Sequence, residues 1–194
     1  MIGGGPFGLA PGQWTDDTSM ALCLAESLLE KRGFDAVDQL ERYVRWWKGD
    51  HLSSTGKFFD IGIATREALS LFVKTRKPFC GSTDPKTAGN GSIMRLAPVP
   101  MFFAGDPERA IELAADSSRT THGASASVDA CRYFAARRKE TRHNPKICTR
   151  RGLAHERRIS LRLTKRFEDA LKQDILVASE DFKKRSLSPI FRIK

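Results

Sequence analysis

Trp14-Thr15-Asp16-Asp17-Thr18 sets two adjacent carboxylates between hydroxyls, where a Gly/Pro-rich lead-in (Gly3 to Gly12) gives way to an apolar run beginning at Met20. Side-chain oxygens just before a helix cap its unpaired N–H groups, which is one reading of these residues. A cap needs one carboxylate, however, and helix neighbours do not share a face. Thr15, Asp16 and Asp17 therefore also suit part of a site for Mg²⁺ or Mn²⁺, which favour hard oxygen ligands. Spacing leaves both readings open. Gly89-Asn90-Gly91-Ser92, followed by Ile93-Met94-Arg95, is either a tight Asn-Gly turn or a nest of backbone N–H groups for an anion. It lacks the G-x-G-x-x-G pattern and a preceding strand, which excludes a Rossmann site. In Ser117-Ser118-Arg119-Thr120-Thr121-His122-Gly123, Thr121 is a candidate cap. His122 is either a structural histidine or a neutral ligand contact, since a charged one is disfavoured at a helix N-terminus. No G-x-S-x-G motif supports serine-hydrolase chemistry.

Helices must position these clusters. Met20, Leu24 and Leu28 recur at fours, predicting a helix from Asp17 to Arg32 with Gly33 as its left-handed cap. A second starts at the N-cap Asp35 and ends at Lys48-Gly49, with Leu40, Tyr43, Val44 and Trp47 as its apolar face. A third runs from about Asp60 to Lys74, burying Ile61, Ala64, Ala68, Leu69 and Phe72. Residues 78–105 read as one long loop, and long loops inside compact domains tend to be functional. Asp106-Pro107 starts a fourth helix, with Asp as cap and Pro at the first helical position. A fifth, rich in alanine, runs from about Gly123 to Ala136. No alternating strand pattern occurs, so the fold class is all-α.

The charge is unevenly placed. Residues 1–136 carry 15 Lys and Arg against 16 Asp and Glu, whereas residues 137–194 carry 18 against 7. Such asymmetry marks a basic tail or a segment foreign to the domain before it. Arg137-Arg138-Lys139 are expected to interrupt the fifth helix, and Ile159, Leu163, Phe167 and Leu171 allow one basic amphipathic helix beyond it. Cys23, Cys80, Cys131 and Cys148 form no C-x-x-C pair and read as reduced thiols. With no signal-peptide pattern and no membrane-length apolar run, a cytoplasmic protein without a membrane partner is expected.

The three clusters in this order, with Leu52-Ser53-Ser54-Thr55-Gly56 and Phe59-Asp60-Ile61-Gly62 between them, closely resemble the ADP-ribosylglycohydrolase family of the dinitrogenase-reductase-activating type. The resemblance covers residues 1–136 and implies an all-α, multi-helix core that hydrolyses ADP-ribose from an ADP-ribosylated protein or an ADP-ribose-containing small molecule. It further implies two Mg²⁺ or Mn²⁺ ions, with Thr15, Asp16 and Asp17 as half their ligand set. Gly89, Asn90, Gly91 and Ser92 would hold the pyrophosphate or adjacent ribose, with His122 nearby. Two departures stand out. Residues 1–14 contain no acid where the family carries a catalytic Glu, and no Asp-x-Asp follows Arg137 where the family has its other metal ligands. The expectation is a partial domain over 1–136 with no catalytic residue of its own, inactive alone, followed by a basic segment over 137–194 that is grafted on or read out of frame. The competing readings are a non-catalytic ADP-ribose-binding remnant and, ranked below it, nucleic-acid binding through the basic tail.

Overall fold

Helix α1 (Asp16–Lys31) buries Met20, Leu24 and Leu28 as the four-residue spacing requires, with Cys23 and Ala25 beside them. It ends at Arg32, whose φ of 53° places it, and not Gly33, in the left-handed cap conformation. Its N–H bonds the carbonyl of Leu28 there. Asp35 then starts α2 (Ala36–Gly49) as expected, its Oδ1 accepting from the N–H groups of Val37 and Asp38 at 3.0 Å. The buried face of α2 is Leu40, Tyr43 and Trp46, with Gln39 and Arg42. Val44 and Trp47, read as core from the sequence, are half-buried. The two adjacent tryptophans lie 100° apart on a helix, so only one can point fully inward.

Helix α3 (Ile63–Thr75) begins three residues later than the sequence predicts, because Gly62 is its N-cap and Asp60 stays in the preceding loop. Thr65, Ala68, Leu69 and Phe72 form its buried face, while Ala64 is half-buried. The expected long loop contains a 3₁₀ turn (Pro85–Thr87) and two short helices, α4 (Gly91–Met94) and α5 (Pro98–Phe102). Leu96 and Val99 anchor it in the core. Proline spacing hid these turns, since Pro suits a first helical turn as well as a loop.

Helix α6 (Pro107–Arg119) has the predicted Asp106 cap, Oδ1 accepting from the Arg109 N–H at 3.2 Å. It packs on α7 (Ser125–His143), where Ala110, Ala114 and Ala115 face Ala124, Val128, Cys131 and Ala135 as a buried, small-residue seam. The α7 backbone continues through Arg137-Arg138-Lys139 without the expected interruption. Arg and Lys are good helix formers, so clustered charge alone does not stop a helix.

This computed structural model describes residues 2–143, with side chains through residue 136. The expectations for the basic amphipathic helix and for Cys148 lie outside the described residues. Among those described, all regular structure is helical, with isolated bridges at Gly4–Leu9 and Ser82–His122. Cys23, Cys80 and Cys131 are buried free thiols. No described helix is long and apolar enough to cross a membrane.

Candidate active site

Thr15 is the N-cap of α1 by position but makes no capping bond with its side chain. Asp16 and Asp17 are the first two helical residues. Among the described residues neither acid has a Lys, Arg or His within ion-pairing distance. Burial, and then repulsion from Asp60, raises the Asp16 carboxyl above its ordinary range. Burial and the Asp16 charge push Asp17 up to about 6, with Asp60 adding to the rise and Arg95 opposing it. Like charges held together in partial burial disfavour ionisation, and a bound cation would reverse that.

Asp60 is the acid the sequence reading missed. Assigned to a helix, it had no evident partner; in the loop before Gly62 it joins the other two. A visible signal was Gly62 itself, a poor residue two positions into a helix. The chemistry fits hard-cation binding by Thr15, Asp16 and Asp17, but the protein set is incomplete. Among the described residues no group of three or more His, Cys, Asp or Glu closes around a metal position.

The Gly89–Ser92 segment lies against His122. A Cβ added to Gly91 would come within 3.1 Å of His122 Cε1 and 3.2 Å of its Nε2, and one on Gly89 within 3.4 Å of the ring. Ser127 Oγ clamps the peptide around Gly89, accepting from its N–H at 3.1 Å and donating to its carbonyl at 2.9 Å. Ser92 lies in the first turn of α4, and its hydroxyl is buried, accepting from Ser118 Oγ at 2.9 Å. Its side chain thus holds helices together, which leaves its backbone for any ligand. Beside Gly89 and Asn90 a cleft of about 250 Å³ opens between Ile93, Ala126, Ser127 and Ala130.

His122 is fixed by a backbone crossing. The Gly81 N–H donates to Arg119 O at 3.0 Å and the Gly123 N–H to Ser82 O at 3.0 Å. A Cβ on Gly81 would fall 2.4 Å from the His122 nitrogen, so only glycine permits the approach. Thr121 is not a helix cap, as α7 starts at Ser125. Its hydroxyl instead meets His122 Nδ1 at 2.8 Å and the Arg95 guanidinium. Burial, and then the Arg95 charge, lowers the His122 pKa to about 4, so the ring is neutral at pH 7.

Arg95 links the clusters. It is 1% exposed, lies 4.9 Å over the Tyr43 ring, and acts electrostatically on both Asp17 and His122. The three stretches read separately in the sequence therefore surround one buried cation. Gly89 and Gly91 stand with His122, and Asp16 and Asp17 with Asp60.

An ADP-ribosylglycohydrolase family profile matches residues 1–185. The chain is 44% identical over 134 residues to the ADP-ribosylarginine hydrolase Tri1 of Serratia proteamaculans (strain 568), covering 69% of this chain and 37% of that protein. It is 32% identical over 134 residues to the ADP-ribosyl-[dinitrogen reductase] glycohydrolase of Rhodospirillum rubrum, covering 68% and 42%. A solved structure described as an ADP-ribosylglycohydrolase-related protein complex superposes with a TM-score of 0.58 at 46% identity, over 70% of this chain and 42% of that one. The chain thus spans less than half the length of these relatives. With the profile covering most of its length, the chain belongs to the ADP-ribosylglycohydrolase family.

Proposed function

We propose that residues 1–136 provide the N-terminal half of a metal-dependent site that removes ADP-ribose from a modified arginine on a protein. The observation that carries this is the adjacent carboxylates of Asp16 and Asp17, which have no ion-pairing partner among the described residues; burial and Asp60 raise both, and Arg95 acts on Asp17 and on His122 alike. Thr15, Asp16 and Asp17 would hold Mg²⁺ or Mn²⁺, which supplies Lewis-acid polarisation and a more acidic bound water. Gly89, Asn90, Gly91 and the Ser92 backbone would hold the pyrophosphate or ribose, with neutral His122 donating to a ligand oxygen. The arginine linkage follows the names of the most similar relatives reported above.

These 194 residues lack an acid before Asp16 and any Asp-x-Asp sequence. Groups acting as one unit lose most of the rate when half are missing. The chain by itself is therefore expected to bind ADP-ribose without appreciable turnover. Hydrolysis of an arginine-ADP-ribosylated peptide by the purified chain in Mg²⁺ or Mn²⁺ tests this. Turnover that survives Asp16→Asn/Asp17→Asn would overturn the metal assignment, while metal-dependent turnover by the parent would overturn the expected inactivity alone. Metal titration by calorimetry reads the same carboxylates without activity. Identical isotherms for parent and double variant would reduce them to a helix start.

A further inference from the structure

Among the described residues Arg95 is a buried cation with no acid within ion-pairing distance, Asp17 acting on it from further away. Its Nε has no hydrogen-bond partner, one terminal nitrogen lies 3.9 Å from Met20 Sδ, and the other donates to Thr121 Oγ1. Guanidinium only donates and does not lose its proton in proteins. Thr121 Oγ1 must therefore accept from Arg95. The threonine hydroxyl has one proton left to place, and its other contact is His122 Nδ1 at 2.8 Å. Thr121 is 1% exposed, so an O–H pointing elsewhere would be a buried donor without an acceptor, which is costly. The hydroxyl proton thus goes to Nδ1, and a neutral ring must carry its own proton on Nε2. Among the described residues that nitrogen has no hydrogen-bond partner, yet it is not one of the sealed side-chain atoms without one, which are Gln39 Oε1 and Arg95 Nε. It faces Gly89 and Gly91, where any side chain would crowd the ring.

We propose that Arg95 and Thr121 are positioning residues that lock His122 as its Nε2–H tautomer, so that the ring offers a single, pre-aimed donor beside the Gly89–Gly91 backbone. The ligand role of that donor rests on the function proposed above; the lock itself does not. Arg95 donates to the hydroxyl, the hydroxyl orients the ring, and the Nε2–H donates to an oxygen of ADP-ribose with no rearrangement. Histidines whose other nitrogen is held by a hydrogen bond have their tautomer set in this way.

The test is nitrogen-15 NMR of the imidazole rings in the intact 194-residue chain, with His122 assigned by substituting the other three histidines with Gln. The parent is expected to show a protonated Nε2 and an unprotonated, hydrogen-bonded Nδ1 near pH 7. Thr121→Ser keeps that pattern, and Thr121→Val produces a mixture of tautomers. If Thr121→Val fails to fold, Thr121→Ala serves: with the hydroxyl gone nothing donates to Nδ1, and the mixture appears again. A protonated Nδ1 in the parent overturns the proposal, as does an unchanged tautomer in folded Thr121→Val or Thr121→Ala. ADP-ribose titration is read in parallel. Thr121→Val is expected to weaken binding about three- to tenfold, with Thr121→Ser restoring it. A locked tautomer that ignores ADP-ribose supports the lock and overturns the ligand contact.

Discussion

Helix α1 carries two clusters of acids, and they are built in opposite ways. Around Arg42, which is 3% exposed, Glu26, Glu30 and Asp38 close at 2.5, 2.6 and 2.6 Å, and His51 Nε2 meets Glu26 at 2.8 Å. Burial pushes Glu26 and Asp38 upward, but hydrogen bonds from His51 and Arg42 outweigh it and hold both below their ordinary range. Earlier on the same helix Asp16 and Asp17, with Asp60 acting on both, have no such partner among the described residues and are both raised. Arg95, the cation near them, is spent on a hydroxyl, a thioether and a ring. Matched charge ties α1 to α2; unmatched charge is what a protein keeps where a ligand is to supply the balance.

Removing the match should have the largest effect. Arg42→Met strands buried carboxylates and is expected to cost about 3–5 kcal/mol, read as a lower urea midpoint with unchanged slope. Restoration of parental stability by Glu26→Gln/Asp38→Asn in that background would sharpen the assignment; a loss under 1 kcal/mol would break it.

The pH dependence should separate the clusters by sign. Glu26 and Asp38 are held low in the folded state, so their contribution is present above their ordinary pKa values of 4.5 and 3.8 and is lost as pH falls through the folded ones. Asp17 is raised from 3.8 to about 6, so its contribution is present at low pH and lost as pH rises across that interval. Asp17→Asn should therefore stabilise the chain at pH 7 in chelator, by up to about 1 kcal/mol or ~2–4 °C after solvent screening, and give nothing near pH 4. Thermal melts of parent and variant across pH 4–8 check the sign, and a destabilised Asp17→Asn at pH 7 would contradict it. Mg²⁺ or Mn²⁺ should raise the parent's melting temperature more than the variant's.

The smallest effect belongs to an ion pair matched in water. Arg76–Glu41 is 62% and 43% exposed, and Arg76→Ala is expected to stay within about 0.5 kcal/mol, provided Phe72, under the Arg76 guanidinium, keeps its packing. A denaturation curve clearly displaced from the parent's would show that exposure is not what separates this pair from Arg42.

Much of the fold was legible because local rules act over a few residues. The Asp35 and Asp106 caps and the Met20–Leu24–Leu28 stripe follow from side chains read against their own helix. The errors fall where tertiary packing chooses between neighbours, as with Trp46 over Trp47, or where a loop of prolines hides short helices. Residue types and order at Thr15–Asp17, Gly89–Ser92 and His122 also carried the family resemblance. Spacing could not distinguish cap from ligand, and only the surroundings of those acids bear on the choice.

By itself the sequence determined which helices form and which residue types are available for chemistry, since periodicity, caps and glycines are properties of short stretches. Tertiary structure alone decided that Arg42 is saturated with acids while no described acid pairs with Arg95, that Asp60 acts on Asp16 and Asp17, and that Thr121 holds His122 beside the Gly89–Gly91 backbone. Those relations join residues up to 44 positions apart. Coulomb energy and burial depend on distance in space, and no local rule of the chain encodes it.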